Sequence, residues 1–236
     1  GSAANIAAGL AIQGNNVDLM SPISNDAIGD FVINSCKKIG INTLLLERVS
    51  NLKNTLAIVD TMGDKTNAVL YREKPADLFI DETFLKKINL DSYLMIIVTG
   101  TSLSRNPSRN NVLKLMELAI KRKIEIVLDI DYREGSWNDK KKAEKTLYSA
   151  SLLSNIVVGN DLEFNFMSSD KNRGLSLAST LSKKNRITTI YKMGSKGLFY
   201  FDKNNKHFFK SFKVKSIKPT GAGDAFISSF CSSKIR

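Results

Sequence analysis

The chain has 236 residues, 42% of them hydrophobic, with a net charge of +12. That length suits one large domain, and the apolar content suffices for a buried core. No apolar run approaches the ~18 residues that a membrane span needs, and the small-residue start from Gly1 to Gly14 lacks the cationic leader of a signal peptide. The basic excess is spread in short lysine groups (Lys37-Lys38, Lys86-Lys87, Lys140 to Lys142, Lys183-Lys184) with no aromatic platform between them. It reads as a solvated surface that attracts small anions, and nucleic acid is not an expected partner. Cys36 and Cys231 lie on separate apolar segments without CxxC spacing, as buried free thiols of a reducing cytosol do.

Taken in chain order, Gly1 to Gln13 reads as a helix facing inward through Ile6, Ala7, Leu10 and Ala11, with Gly14 as its stop. A strand is expected at Val17 to Met20. A helix follows from Asp26 to Ile39, with Ile28, Val32, Cys36 and Ile39 inward and Gly40 as cap. Residues 54–72 change to strand-like runs, Leu56 to Val59 and Ala68 to Tyr71, joined by the turn Gly63-Asp64-Lys65, which make either a flap or a sheet edge.

Beyond Asp81 strands and helices alternate. Leu94 to Val98 is a continuous apolar run, the pattern of a strand buried on both faces. Asn106-Pro107 starts a helix, with Pro at its first position and a stripe of Val112, Met116, Ala119 and Ile120. Strand Ile124 to Ile130, a helix from Asp139 to Leu153, strand Ile156 to Val158, a short helix from Asp161, a helix at Leu175 to Leu181 and strand Ile187 to Tyr191 follow. A hairpin of Leu198 to Phe201 and His207 to Phe212 comes after them. Repeated β-α-β units predict a mostly parallel sheet with helices on both faces and a site at the C-terminal ends of its strands.

Polar clusters stand at those ends: Asp129-Ile130-Asp131-Tyr132-Arg133 with Trp137, Gly159-Asn160-Asp161-Leu162-Glu163, and Lys192-Met193-Gly194-Ser195-Lys196-Gly197. Each has a purely structural reading as well. Asp131 and Arg133 make a surface ion pair, Asn160 and Glu163 a capping box, and the third run a turn. A fourth cluster, Gly221-Ala222-Gly223-Asp224, lies between a β-like stretch (Phe208 to Ile217) and the apolar segment Ala225 to Phe230. If Gly223 or Asp224 opens a helix, unpaired N–H groups there cradle a phosphate and the carboxylate takes a proton from an attacking hydroxyl. The alternative is a glycine-rich turn with Asp224 as N-cap. Neither a Walker loop nor a dinucleotide fingerprint is present.

In this order the motifs resemble those of the ribokinase-like sugar kinases, also called the phosphofructokinase B family. Gly1-Ser2-Ala3-Ala4-Asn5 is similar to the family's Gly-Gly-x-x-x-Asn signature without its first glycine. Asn160-Asp161-Leu162-Glu163 is similar to its Asn-x-x-Glu element, and Lys218-Pro219-Thr220-Gly221-Ala222-Gly223-Asp224-Ala225-Phe226 to its C-terminal signature, with Lys218 where an acidic residue is common.

The resemblance covers essentially the whole chain. It implies a three-layer ribokinase-like α/β fold, one kinase domain over 1–236 with a partial β lid at 54–72, a cytoplasmic location, and a homodimer through the lid as one assembly. ATP and Mg²⁺ are the implied cofactors. Asp224 is the implied base, and the N–H groups of Gly221, Ala222 and Gly223 the implied anion hole. Asn160 and Glu163 hold Mg²⁺ through its water shell. Asn160, Lys192, Gly194, Gly197 and Thr220 line the nucleotide, Gly1 and Asn5 meet the sugar, and Arg72 and Arg133 pair with a substrate carboxylate.

Within the family, Leu70-Tyr71-Arg72 with Ala76-Asp77-Leu78, Gly100-Thr101-Ser102-Leu103 with Pro107-Ser108-Arg109, and Asp129 to Arg133 with Trp137 are similar to kinases of keto sugar acids. The implied acceptor is the terminal hydroxyl of 5-dehydro-2-deoxygluconate of inositol catabolism. The alternatives are 2-keto-3-deoxygluconate, fructose, or a non-catalytic nucleotide- or sugar-binding homologue. Family members carry a strand before the position of Gly1 and helices well beyond Asp224, so the chain is expected to be part of a longer kinase.

Overall fold

A computed structural model describes residues 1–62, 65–170, 172–203, 205–215 and 220–236, and the side chains of all of these except 59–62, 65–68 and 70. The expected turn residues Gly63 and Asp64, and Ile217, Lys218 and Pro219 near the glycine cluster, lie outside the described residues.

Helix α1 (Ser2–Ile12) buries Ile6, Ala7 and Leu10 and ends before Gly14, whose φ is +84°. The strand expected at Val17 to Met20 falls later, at β1 (Ser21–Ser24), which pairs in parallel with β2 (Leu46–Val49) from Ser21 opposite Leu46. Residues 17–20 face a partner that turns at Leu44 and Leu45, so only the isolated bridge from Asp18 to Asn42 forms. Helix α2 (Ala27–Ile39) lies between, capped by the Asp26 carboxylate, which accepts the N–H groups of Ile28 and Gly29 at 3.1 Å each.

The buried side of α2 is Gly29 and Cys36, while the expected inward residues Ile28 and Ile39 are each 39% exposed. The stripe is rotated because Gly29 lies against the Ser24 carbonyl, where a Cβ would come within 1.9 Å of the oxygen. Strands β3 (Leu56–Met62) and β4 (Lys65–Tyr71) form a separate antiparallel pair, on which Ile58 and its partner Val69 are more than half exposed.

After the short helix α3 (Glu82–Lys86), six strands make the central sheet: β5 (Met95–Thr99), β6 (Glu125–Asp129), β7 (Ile156–Asn160), β8 (Thr188–Lys192), β9 (Leu198–Asp202) and β10 (Asn205–Phe209). Their spatial order is β10-β9-β8-β7-β6-β5, with β5 to β8 parallel and the β9–β10 hairpin antiparallel. The run at Leu94 to Val98 is not buried on both faces. As the outer strand β5 it buries only Val98 and Thr99, and Leu94 is 75% exposed. The strand expected to reach from Phe208 toward the glycine cluster stops at Phe209. Only the five residues of β9 pair with it, and Phe212 and Val214 beyond it are exposed.

Four helices cover one face: α4 (Ser108–Lys121), α5 (Lys140–Leu152), α6 (Asp161–Met167) and α7 (Gly174–Asn185). In α4 Pro107 is the N-cap and not the first helical residue. Its buried stripe is Val112, Leu115, Met116 and Ala119, with Ile120 turned outward. Helix α8 (Ala222–Ile235) starts one residue before the earliest expected point, and packs beside α1 on the opposite face.

Strand alternation serves both layers. Ile126, Leu128 and Val157 join the cluster under α4 to α7, while Val127, Ile156, Val158 and Ile190 join Ile6, Leu10, Ile227 and Cys231 under α1 and α8. A one-residue slip would exchange two equally apolar faces, so hydrophobicity does not fix the register here. The polar strand ends do mark it: Thr99 stands opposite Asp129, and Asn160 opposite Lys192. This row of polar ends is the floor of the candidate site. Both cysteines are buried and free, and no described helix is long and apolar enough to cross a membrane.

Candidate active site

The glycine cluster forms a helix start. Gly221 is the N-cap of α8 with φ +86°, a left-handed conformation that side chains resist, and it receives no side-chain cap. The first intrahelical bond runs from the Ala225 N–H to the Gly221 carbonyl at 2.9 Å, so the N–H groups of Ala222, Gly223 and Asp224 precede any intrahelical acceptor. They sit at the positive end of the helix dipole. Asp224 is therefore not the N-cap. It lies in the first turn, and its carboxylate accepts the Asn5 amide N–H at 2.8 Å. A Cβ placed on Gly223 would lie 3.5 Å from the Lys192 ammonium, so the end of β8 brings a cation to the same helix start.

Helix α1 ties this carboxylate to a second. Ser2, one turn before Asn5 with respect to the helix axis, donates its hydroxyl to Asp131 at 2.7 Å. Asp131 is 3% exposed at a φ of +31°, and also accepts from Thr101 at 3.2 Å and from Arg133 Nε at 2.9 Å. Asp131 and Arg133 do pair, but not as the surface pair expected, because the carboxylate is buried; Arg133 remains 64% exposed, with only its Nε donating to Asp131. Asp129, at the end of β6, is 5% exposed. Burial pushes its pKa up to about 8; Lys192 pulls the other way, and the charges of Asp131, Glu163 and Asp224 add to the rise. Four carboxyl groups, two from the end of β6, one from the turn of α6 that follows β7 and one from the start of α8, therefore share this region with Lys192.

Asn160 and Glu163 form the capping box of α6: Asn160 Oδ1 accepts the Glu163 N–H at 2.9 Å, and Glu163 Oε2 accepts the Asn160 N–H at 2.7 Å. Burial raises the Glu163 pKa against the lowering effects of the Asn160 N–H and Lys192. Among the described residues no three His, Cys, Asp or Glu side chains converge to hold an ion directly. The donor set suits a hydrated cation, held by the field of the carboxylates and by oxygens that the box leaves free.

The remaining expected residues are distributed unevenly. Gly194 opens a one-turn helix just after Lys192, and Gly197 ends it with φ +101°. Thr220 adjoins the helix start and is exposed, as is Gly1, the N-cap of α1. Arg72 is already engaged: one terminal nitrogen donates to Asp77 at 2.7 Å and the other to Ser136 at 2.8 Å, while its buried Nε lacks a partner. Sequence reasoning passes over Ser2, Thr101, Asp129 and Asp131 as site residues. Asp129 and Asp131 carry a signal, their place at a strand end. Ser2 and Thr101 carry only their places inside the runs Gly1 to Asn5 and Gly100 to Leu103.

The family model for "pfkB family carbohydrate kinase" matches residues 1–236. A 5-dehydro-2-deoxygluconokinase of Clostridium tetani is 33% identical over 238 residues, covering 98% of this chain and 70% of that protein. The protein of the same name from Mesomycoplasma hyopneumoniae is 33% identical over 239 residues, with 98% and 70% covered. Among solved structures, a fructokinase with bound ATP from Xylella fastidiosa superposes with a TM-score of 0.88 at 19% identity, over 99% of this chain and 72% of that one. A sugar kinase from Pyrococcus horikoshii gives 0.84 at 24% identity, over 98% and 73%. These two structures establish likeness of fold.

Proposed function

We propose that this chain, which belongs to the pfkB family of carbohydrate kinases, transfers the γ-phosphate of ATP to the terminal primary hydroxyl of a keto sugar acid, with 5-dehydro-2-deoxygluconate as the substrate. The observation that carries the reading is the Asp224 carboxylate, held by Asn5 at 2.8 Å in the first turn of a helix whose leading N–H groups lack intrahelical acceptors. A carboxylate there takes the proton of the attacking hydroxyl, and the N–H groups of Gly221, Ala222 and Gly223 meet the charge that develops on the transferred phosphoryl. In such reactions positioning and electrostatics supply most of the acceleration.

Lys192, Gly194, Gly197 and Thr220 border the nucleotide, and the open space at Gly194 and Gly221, where an added Cβ meets no atom within 4 Å, leaves room for it. Mg²⁺, when bound through water to Asn160 and Glu163, neutralises phosphate charge. Asn5 and Gly1 face the sugar. Arg133, with its free nitrogens, takes the substrate carboxylate, a task for which a planar guanidinium fork is suited. The β3–β4 pair is the lid, and its exposed Ile58 and Val69 offer a face to a second copy of the chain.

A second reading, a neutral ketose such as fructose, is favoured by the pairing of Arg72 with Asp77 and Ser136, which removes one guanidinium from the carboxylate role. Release of ADP with a panel of keto sugar acids and neutral ketoses separates the two. Turnover confined to the acids is expected. Turnover confined to fructose overturns the substrate assignment, and turnover with no member of the panel overturns the catalytic reading.

A further inference from the structure

Between the loop that follows β5 and the start of α5 lies a cavity of about 290 Å³, walled by Arg105, Arg109, Trp137, Asp139 and Lys142 among others. None of its lining residues belongs to the constellation around Asp224. Its walls hold three cations, and among the described residues none of the three is in an ion pair. The one carboxylate, Asp139, is occupied as the N-cap of α5, accepting the Lys142 N–H at 3.1 Å.

Two buried donors in this wall lack acceptors among the described residues: Arg105 Nε and the indole N–H of Trp137, a residue only 9% exposed. A buried donor left unpaired costs about 1–3 kcal/mol, so an acceptor that reaches either of these donors removes a penalty. Arg109 completes the wall. It is 9% exposed, donates Nε to the Leu103 carbonyl at 2.8 Å and Nη2 to the Ser104 carbonyl, and lies over the Trp137 ring at 5.5 Å. Burial pushes its pKa down, the direction that an anion beside it would oppose.

We propose that this cavity binds a phosphate group, free or as a monoester, through Arg105, Arg109, Lys142 and the Trp137 indole N–H. Three cations against one carboxylate leave a charge of two to neutralise, which matches the roughly −1.5 to −2 carried by a phosphate near pH 7. A carboxylate brings half of that charge and fewer acceptor oxygens. The guanidinium of Arg105 has the fork geometry that phosphate oxygens accept in pairs.

Trp137 is the only tryptophan of the chain, so its fluorescence reports on this wall alone. The test titrates the full chain with inorganic phosphate, glycerol 2-phosphate and acetate at constant ionic strength, without nucleotide or sugar. A failure here therefore leaves the kinase reading untouched. A saturable change is expected with at least one of the two phosphate compounds, and acetate is expected to bind at least about tenfold more weakly. The tighter of the two identifies the source as free phosphate or a phosphorylated metabolite. Arg105→Gln is expected to weaken binding by at least about tenfold, the loss of a charge-assisted hydrogen bond. Lys142→Gln, at the exposed rim, does the same in kind and serves if the first variant fails to fold. The absence of a saturable change, equal binding of acetate, or unchanged binding in a folded variant overturns the proposal.

Discussion

Replacing Asp129 by Asn removes the charge of this carboxyl while nearly preserving its shape. The group is 5% exposed, and its pKa stands at about 8 against an ordinary 3.8, chiefly because burial disfavours the ionised form. Between those two values the folded chain holds a proton that the unfolded chain has lost. The folded-state pKa of an acid is raised here, so stability is greatest below the unfolded pKa and falls as pH rises toward 8. One proton corresponds to about 1.4 kcal/mol per pH unit, so Asp129 takes about 3 kcal/mol from stability between about pH 5 and pH 7.

An Asn cannot ionise, and Asp129→Asn should lack this slope. Urea unfolding of both proteins across that range is the assay. The stability of the variant relative to the parent is expected to grow by about 3 kcal/mol from about pH 5 to pH 7 and to level off above about pH 8. An amide that finds no partner would lower the variant by a constant amount, leaving the difference in slope intact. Parallel pH profiles would refute the reasoning, because they would mean that Asp129 is ionised in the folded chain despite its burial.

The other predictions concern separate parts of the molecule. Asp224→Asn is expected to lower kcat by about 100- to 10,000-fold with the KM for ATP little changed, and near-normal turnover would remove Asp224 from the chemistry. Arg133→Ala is expected to raise KM for a sugar acid and not for a neutral ketose. Because Arg133 is 64% exposed, the loss belongs nearer to the ~1 kcal/mol of a solvated pair than to the ~2–5 kcal/mol of a buried one. Equal losses for both substrates would exclude a carboxylate contact.

Asp26 has its pKa lowered to about 2, first by the Ser24 hydroxyl, then by the Gly29 N–H and Lys53. Its contribution is present above the ordinary 3.8 and is lost as pH falls toward 2, so acid unfolding of Asp26→Asn should lack that part of the loss. An identical acid profile for the variant would show that the cap carries no such linkage.

Local patterns determined the elements of this chain. The capping box of Asn160 and Glu163 and the stop at Gly40 were legible because a helix end needs a nearby acceptor or a left-handed residue, and both are coded within a few positions; Asp26 and Asp139, expected as first helical residues, are instead the caps one position before. The β-α-β alternation was legible from continuous apolar strands, and the polar runs at their ends marked one edge of the sheet as the site. The ordered motifs carried the family as well.

Tertiary structure decided what depends on distant partners. Leu94 to Val98 has the composition of a central strand, and only the strand order makes it an outer one. Ile28 and Ile39 fit an apolar stripe, but the close approach of Gly29 to Ser24 turns α2 away from them. Arg72 looked free for a substrate, and its pairing with Ser136 spans 64 positions in sequence. Ser2 and Thr101 stood inside recognised runs without a role, because a hydroxyl becomes part of a site only when the fold brings a buried carboxylate such as Asp131 to it. Periodicity and capping are properties of neighbouring residues. The strand order, the rotation of a helix on its sheet, and the pairing of Asn5 with Asp224 across 219 positions are properties of the packed whole.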